Sequence, residues 1–412
     1  MPRTSKKAQF LRNNPNTLRE IMNLLEEFTK RGTKEGKKLI YLAGGWPQDP
    51  PPSLLKEAML EVISNEEKFS RAVQYGPTRG LTETLTAIVD YEKGIYGRDI
   101  NESEILISNG STEIALTVLE AILDEGDEVI LTKPHYLNFS IQSYFVGNLN
   151  VKIKYWNLLR DDYTYGPNIE QLKELVNDKT KAIILASPGN PDGQIISDRL
   201  FNEISEIAKE KGVFLITDLA YRGFCYTEKP SYFSNAVEPH EIFICTFSKE
   251  LRIPGLRLAY VIASKEMIRN FELVEQLKTL CPNGFIQKVF AEMISKEDNI
   301  KSLKEFIERG NETYQGIALM SYRYLRDKIP EFYLNEPKGA FYLFFNHSSV
   351  NPNSREFCTH LLEKVRVALA PGIDFGMDGW TRLSISPGVL NPELIKEGIE
   401  RIREFIDSNQ RS

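Results

Sequence analysis

Cysteine and histidine are both scarce in this chain, with four of each among 412 residues. Cys225, Cys245, Cys281 and Cys358 form no C-x-x-C pair, and His135, His240, His347 and His360 show no ligand spacing. That argues against a disulfide framework and a structural metal, and for reduced thiols in a cytoplasmic setting. No apolar run approaches the roughly 18 residues of a membrane helix, and the opening MPRTSKKAQFLRNNPN lacks the apolar core of a signal peptide. Its basic residues read instead as a flexible or docking arm. Neither G-x-G-x-x-G nor G-x-x-x-x-G-K-[ST] occurs, which disfavours a Rossmann oxidoreductase and a P-loop enzyme. There is no excess of positive charge either; a net charge of −6 argues against a nucleic-acid partner. Fixed-period repeats, low-complexity tracts and long linkers are also missing.

What remains is an ordinary globular composition, 42% hydrophobic and 26% charged. At about 100 to 200 residues per domain, the length suggests two or three domains. From residue 104 onward, short β-rich apolar runs (EILIS, DEVILT, VKIKYW, KAIILAS, GVFLITD, EIFICTF, LRLAYVIAS) alternate with amphipathic segments such as STEIALTVLEAIL and DRLFNEISEIAKEKG. Apolar strands separated by helices predict an α/β fold with a mainly parallel, seven-stranded sheet covered on both faces. After residue 290, long charged helices, the runs GAFYLFFNHS, VRVALAPG and WTRLSIS, and a final helix predict a smaller α+β domain. The expected division is 51–290 for the large domain, and 1–50 with 291–412 for the small one.

Ligands of parallel sheets sit at the carboxyl ends of the strands. There, ILIS is followed by Asn109, Gly110, Ser111 and Thr112 at the start of a helix, a setting for phosphate read here as a hydroxyl-bearing N-cap with free N–H groups. AIILAS runs into a turn displaying Asn190, VFLIT ends on Asp218 just before Tyr221, and FICTF ends on Ser248 and Lys249. Each alone has a bland reading as a cap or a solvated charge. Together they form the set that pyridoxal 5'-phosphate requires: an amine for its aldehyde, a carboxylate for its ring nitrogen, donors for its phenolic oxygen and a cradle for its phosphate.

The motifs SNGSTEIA, SPGNPDG, DLAYRGF, SKELRIPGLRLAY and RLSIS recur in an order that resembles the fold-type I pyridoxal-phosphate aminotransferases of class I and II, over nearly the whole chain. The resemblance implies that Lys249 forms the imine with the cofactor and acts as the general base once released. It implies that Asn190 and Tyr221 bond the phenolic oxygen and that Asp218 pairs with the ring nitrogen. Ser111, Thr112, Thr246, Ser248 and Arg257 would hold the phosphate, with Tyr136 stacked on the ring. Arg382 would clamp the substrate carboxylate, a bidentate task suited to guanidinium. LAGGWPQDPPP and YGPTRGL are similar to the branch acting on 2-aminoadipate, kynurenine and aromatic amino acids. That places Gly44 and Gly45 beside the substrate, and Tyr75 against a neighbouring subunit's phosphate in a homodimer with shared sites.

Two positions depart from the family pattern: Asp192 replaces the usual threonine of the asparagine turn, and Ala259-Tyr260 replaces Gly-Tyr. Asp192 is expected to face the turn. The implied reaction moves an amino group from an L-amino acid to a 2-oxo acid, by analogy 2-oxoglutarate. β-Lyases, decarboxylating synthases and non-catalytic regulators share the fold and stay open, although a regulator needs a DNA-binding domain for which residues 1 to 40 are too short. No second arginine for a dicarboxylate stands out, and Trp46 and Tyr75 suit an aromatic or a long aliphatic substrate equally.

Overall fold

A computed structural model describes residues 3–14 and 38–410. All seven apolar runs form strands: β2 (Ile105–Ser108), β3 (Glu128–Lys133), β4 (Lys152–Asn157), β5 (Thr180–Ala186), β6 (Phe214–Asp218), β7 (Glu241–Thr246) and β8 (Ala259–Ala263) follow the short β1 (Ile40–Tyr41). They make one sheet in the order β2-β8-β7-β6-β5-β3-β4, in which only β8 runs antiparallel to its neighbours. Alternate residues feed opposite faces: Ile183 and Leu185 pack into one apolar cluster, Ala182 and Ile184 into another. Full burial of each isoleucine or leucine here is worth about 1.5–3 kcal/mol. The strand bodies are thus fixed by apolar packing, and polar function is confined to their ends.

The second sheet is antiparallel, in the order β12-β13-β10-β9, from β9 (Tyr333–Leu334), β10 (Tyr342–Asn346), β12 (Ala370–Pro371) and β13 (Trp380–Ser384). Before it runs a helix of 32 residues, Glu297–Lys328, and after it the helix Pro392–Gln410. β1 pairs in parallel with β11 (Val367–Ala368) in a separate two-stranded sheet, and the Ser384 N–H of β13 donates to the Leu42 carbonyl, which ties the segment before Gly44 to the second sheet. At the start of the chain, the helix Lys6–Asn13 sets Phe10 5.8 Å from the ring of Tyr144, so that part of the basic arm docks. The rest of the arm, 15–37, lies outside the described residues. None of the described helices is long and apolar enough to cross a membrane.

Candidate active site

A cavity of about 600 Å³ opens where the ends of β2, β5, β6 and β7 face β10, β13 and the Gly44-Gly45-Trp46 segment. Lys249 stands in the short helix Phe247–Glu250 that leaves β7, and its Nζ donates to the Gly45 carbonyl at 2.8 Å. Burial, then the positive charges of Arg257 and Arg382, push its pKa down to about 8, against a smaller opposing pull from Asp218. Asp218 ends β6, where its Oδ1 accepts the Ala220 N–H at 3.0 Å. Burial raises its pKa to about 6, opposed by that hydrogen bond and by Lys249.

The helix Ser111–Ile122 begins at the cavity. Contrary to the hydroxyl-bearing cap expected from the sequence, its N-cap is Gly110, with no side-chain cap. Ser111 is the first helical residue, which leaves its hydroxyl and that of Thr112 on the cavity wall. Gly110 is required for two reasons: its φ is +107°, and a Cβ there would lie 2.1 Å from Nη2 of Arg257. Arg257 itself holds a left-handed φ of 56° and donates from Nη1 to the Pro254 carbonyl at 2.9 Å. Thr246 is buried just behind the wall, with its hydroxyl 2.9 Å from that of Ser248 and accepting the Ser248 N–H.

Arg382 lies at the centre of the small sheet and is buried. It donates from Nη1 to Asn190 Oδ1 at 2.7 Å and from Nη2 to the Ala43 carbonyl at 2.8 Å, and its Nε has no partner among the described residues. Tyr136 lines the cavity, and burial raises its pKa to about 12, helped by Asp218. The hydroxyl of Tyr221 meets that of Tyr342 at 2.6 Å. Of the predicted residues only Thr246 and Tyr75 do not line the cavity, and Tyr75 is 86% exposed. Asp192 does face its turn, accepting the Gln194 N–H at 3.3 Å, and burial raises its pKa to about 6.

Sequence reasoning missed Tyr41 and Tyr342, both on the cavity wall. It also missed what stands behind the wall. Arg222 and Glu250, the immediate chain neighbours of Tyr221 and Lys249, are buried with Glu92 and Arg98. Arg222 pairs with Glu92 at 2.5 Å and with Glu250 at 3.8 Å, and Arg98 lies 3.6 Å from Glu92. Tyr260 closes this cluster with hydrogen bonds to Arg222 and Glu92, and Tyr96 with one to Glu250. Tyr260 of the departing Ala-Tyr pair thus has a structural task.

Residues 37–402 match the family model for aminotransferase class I and II. The chain belongs to that family. The aminotransferase is 33% identical to the (5-formylfuran-3-yl)methyl phosphate transaminase of Methanocaldococcus jannaschii, over 94% of this chain and 96% of the relative. It is 29% identical to a probable aspartate/prephenate aminotransferase of Aquifex aeolicus, over 90% of this chain and 92% of the relative. Among solved structures, an aspartate aminotransferase double mutant of Thermus thermophilus superposes with a TM-score of 0.86 at 23% identity, covering 98% of this chain and all of the other. An aromatic aminotransferase from Pyrococcus horikoshii gives 0.80 at 25% identity, covering 96% of this chain and all of the other. The expected fold class and transaminase activity are therefore those of the chain.

Proposed function

We propose that the cavity binds pyridoxal 5'-phosphate and that the enzyme transfers the amino group of an L-amino acid to a 2-oxo acid, with 2-oxoglutarate as acceptor. The observation that carries this reading is the placing of Lys249, with its pKa brought down to about 8, in one cavity with Asp218, Arg257 and Arg382. The donor set fits the group. An anion matches Arg257 in the space that Gly110 leaves open, beside the hydroxyls of Ser111, Thr112 and Ser248, with Thr246 orienting Ser248. A cationic ring nitrogen matches Asp218, which its burial otherwise penalises. Asn190 and Tyr221 have the amide and the hydroxyl needed for a phenolic oxygen, and Tyr136 offers a ring to stack upon.

When bound, the cofactor supplies an electron sink for the pair left as the substrate Cα–H bond breaks. Lys249 must hold that proton, and about a tenth of its amine is neutral at pH 7 when its pKa is about 8. Arg382 orients the substrate by its carboxylate, with Asn190 holding one end of the guanidinium. Gly45 keeps the space beside Arg382 clear; a Cβ there would lie 3.0 Å from the Tyr342 hydroxyl and 3.8 Å from Nη2 of Arg382.

A homodimer with shared sites is part of the proposal. It is supported by exposed apolar side chains, among them Leu277 at 89%, Leu273, Val73 and Tyr75. Thr78 bonds the Leu280 carbonyl at 2.7 Å, so the Tyr75 turn abuts the end of the helix Lys265–Thr279. The β1 and β11 pairing supports the domain division 51–290 against 1–50 with 291–412. Free cysteines at all four positions suit a cytoplasmic setting. Incubation with a panel of amino acids, with and without 2-oxoglutarate, tests the reaction. A new amino acid appearing only with the oxo acid supports transamination; release of ammonia without it refutes the reading in favour of a lyase.

A further inference from the structure

Tyr342 stands within a run of apolar residues on β10, yet it is the side chain that joins the two halves of the cavity. Arg382 on β13 pairs in register with Phe344, so Tyr342, two residues along on the same face, is its diagonal neighbour. The guanidinium carbon lies 4.3 Å from the centre of the Tyr342 ring. At the other end of that ring, the hydroxyl meets the Tyr221 hydroxyl at 2.6 Å. Neither hydroxyl has another hydrogen-bond partner among the described residues. Arg382, Tyr136 and Asp218 are the titratable groups that bear on the pair.

One proton must lie between the two oxygens, because two acceptors at this distance would repel. The other proton is then free to point into the cavity. If Tyr221 gives its proton to Tyr342, it has none left for a cavity acceptor; if Tyr342 gives its own, Tyr221 becomes a polarised donor. A negative oxygen in the cavity selects the second arrangement. We propose that Tyr342 is a positioning residue: its hydroxyl donates to Tyr221 and so aims the Tyr221 hydrogen at the bound ligand, while its ring fixes the plane of Arg382. One side chain thereby aligns the cofactor-side donor and the substrate-side clamp. The inference rests on the proposed cofactor site.

The test compares Tyr342→Phe, which keeps the ring, with Tyr342→Leu, which removes ring and hydroxyl. Wild-type protein is first loaded with pyridoxal 5'-phosphate, and the pH midpoint of the bound chromophore's visible absorbance is recorded. A weakened donor leaves the phenolic oxygen with a higher proton affinity, so the midpoint rises by roughly half a unit to one unit in Tyr342→Phe, with KM for the amino acid little changed. Tyr342→Leu shows the same rise and adds a roughly tenfold increase in KM. A purely structural role predicts lower melting temperatures with an unmoved midpoint, and that result overturns the proposal. An unmoved midpoint in Tyr342→Phe overturns it as well. If wild-type protein takes up no chromophore, the cofactor site itself fails, an outcome separate from either variant's behaviour.

Discussion

Lys249 should be chemically distinct from every surface lysine before any cofactor arrives. With a pKa of about 8 against an ordinary 10.5, about one amine in ten is neutral at pH 7, compared with about one in 3,000 for a solvated lysine. That is a roughly 300-fold advantage in nucleophilic form. Trace acetylation of cofactor-free protein, read peptide by peptide by mass spectrometry from about pH 6 to about pH 11, should show Lys249 titrating with a midpoint near 8. The charges around it make the prediction directional. Arg257→Gln removes a cation that depresses the pKa, so the midpoint climbs; Asp218→Asn removes an anion that raises it, so the midpoint falls further. Each change is only part of the total displacement, because burial is its leading cause. A Lys249 midpoint at the surface value, or movement in the same direction for both variants, would refute the electrostatic account.

The same burial carries a stability cost. Between about pH 8 and 10.5 the unfolded chain binds a proton at Lys249 that the folded chain does not, so cofactor-free wild type gains stability as pH rises through that window. Lys249→Met should therefore raise the melting temperature at pH 7, by the equivalent of about 2 kcal/mol after allowing about 1 for the lost bond to Gly45, and the gain should vanish near pH 10.5. Gly110→Ala forces a Cβ into Arg257 and a side chain into φ +107°; the affinity for pyridoxal 5'-phosphate, followed by visible absorbance, should fall roughly tenfold or more while the fold persists by circular dichroism. Mixing Lys249→Ala and Tyr75→Ala subunits tests the shared site. One site of the mixed dimer combines intact copies of both residues, so activity should exceed that of either parent, and parental activity after proven exchange excludes Tyr75 as a lent residue.

The large sheet was legible because its strands are nearly pure apolar runs bounded by polar ends, and because successive ends carry Ser111, Asn190, Asp218 and Lys249 in chain order. Tyr342 was not, since in GAFYLFF it satisfies the pattern of a buried strand, and its partner Tyr221 lies 121 residues away. The N-cap was misread for a related reason. Serine is a common cap, but here the demand for space around Arg257 outweighs cap preference and moves glycine into that position. Glu92, Arg98, Arg222 and Glu250 each look like ordinary surface charges in sequence; only their convergence at 0–2% exposure shows otherwise.

That convergence constrains how the chain can diverge. Arg222 and Glu250 sit one step along the backbone from Tyr221 and Lys249; changing Arg222 alone leaves Glu250 without its cation, and changing Glu250 alone leaves the four-charge cluster with one uncompensated positive charge, each at about 3–5 kcal/mol. Against a net folding stability of about 5–15 kcal/mol, such an intermediate sits at the edge of viability. Replacing both by well-packed apolar residues can be neutral or even favourable. Descendant sequences should therefore exchange this pair jointly, and the chemistry of a pocket residue becomes tied to a neighbour that never touches the ligand.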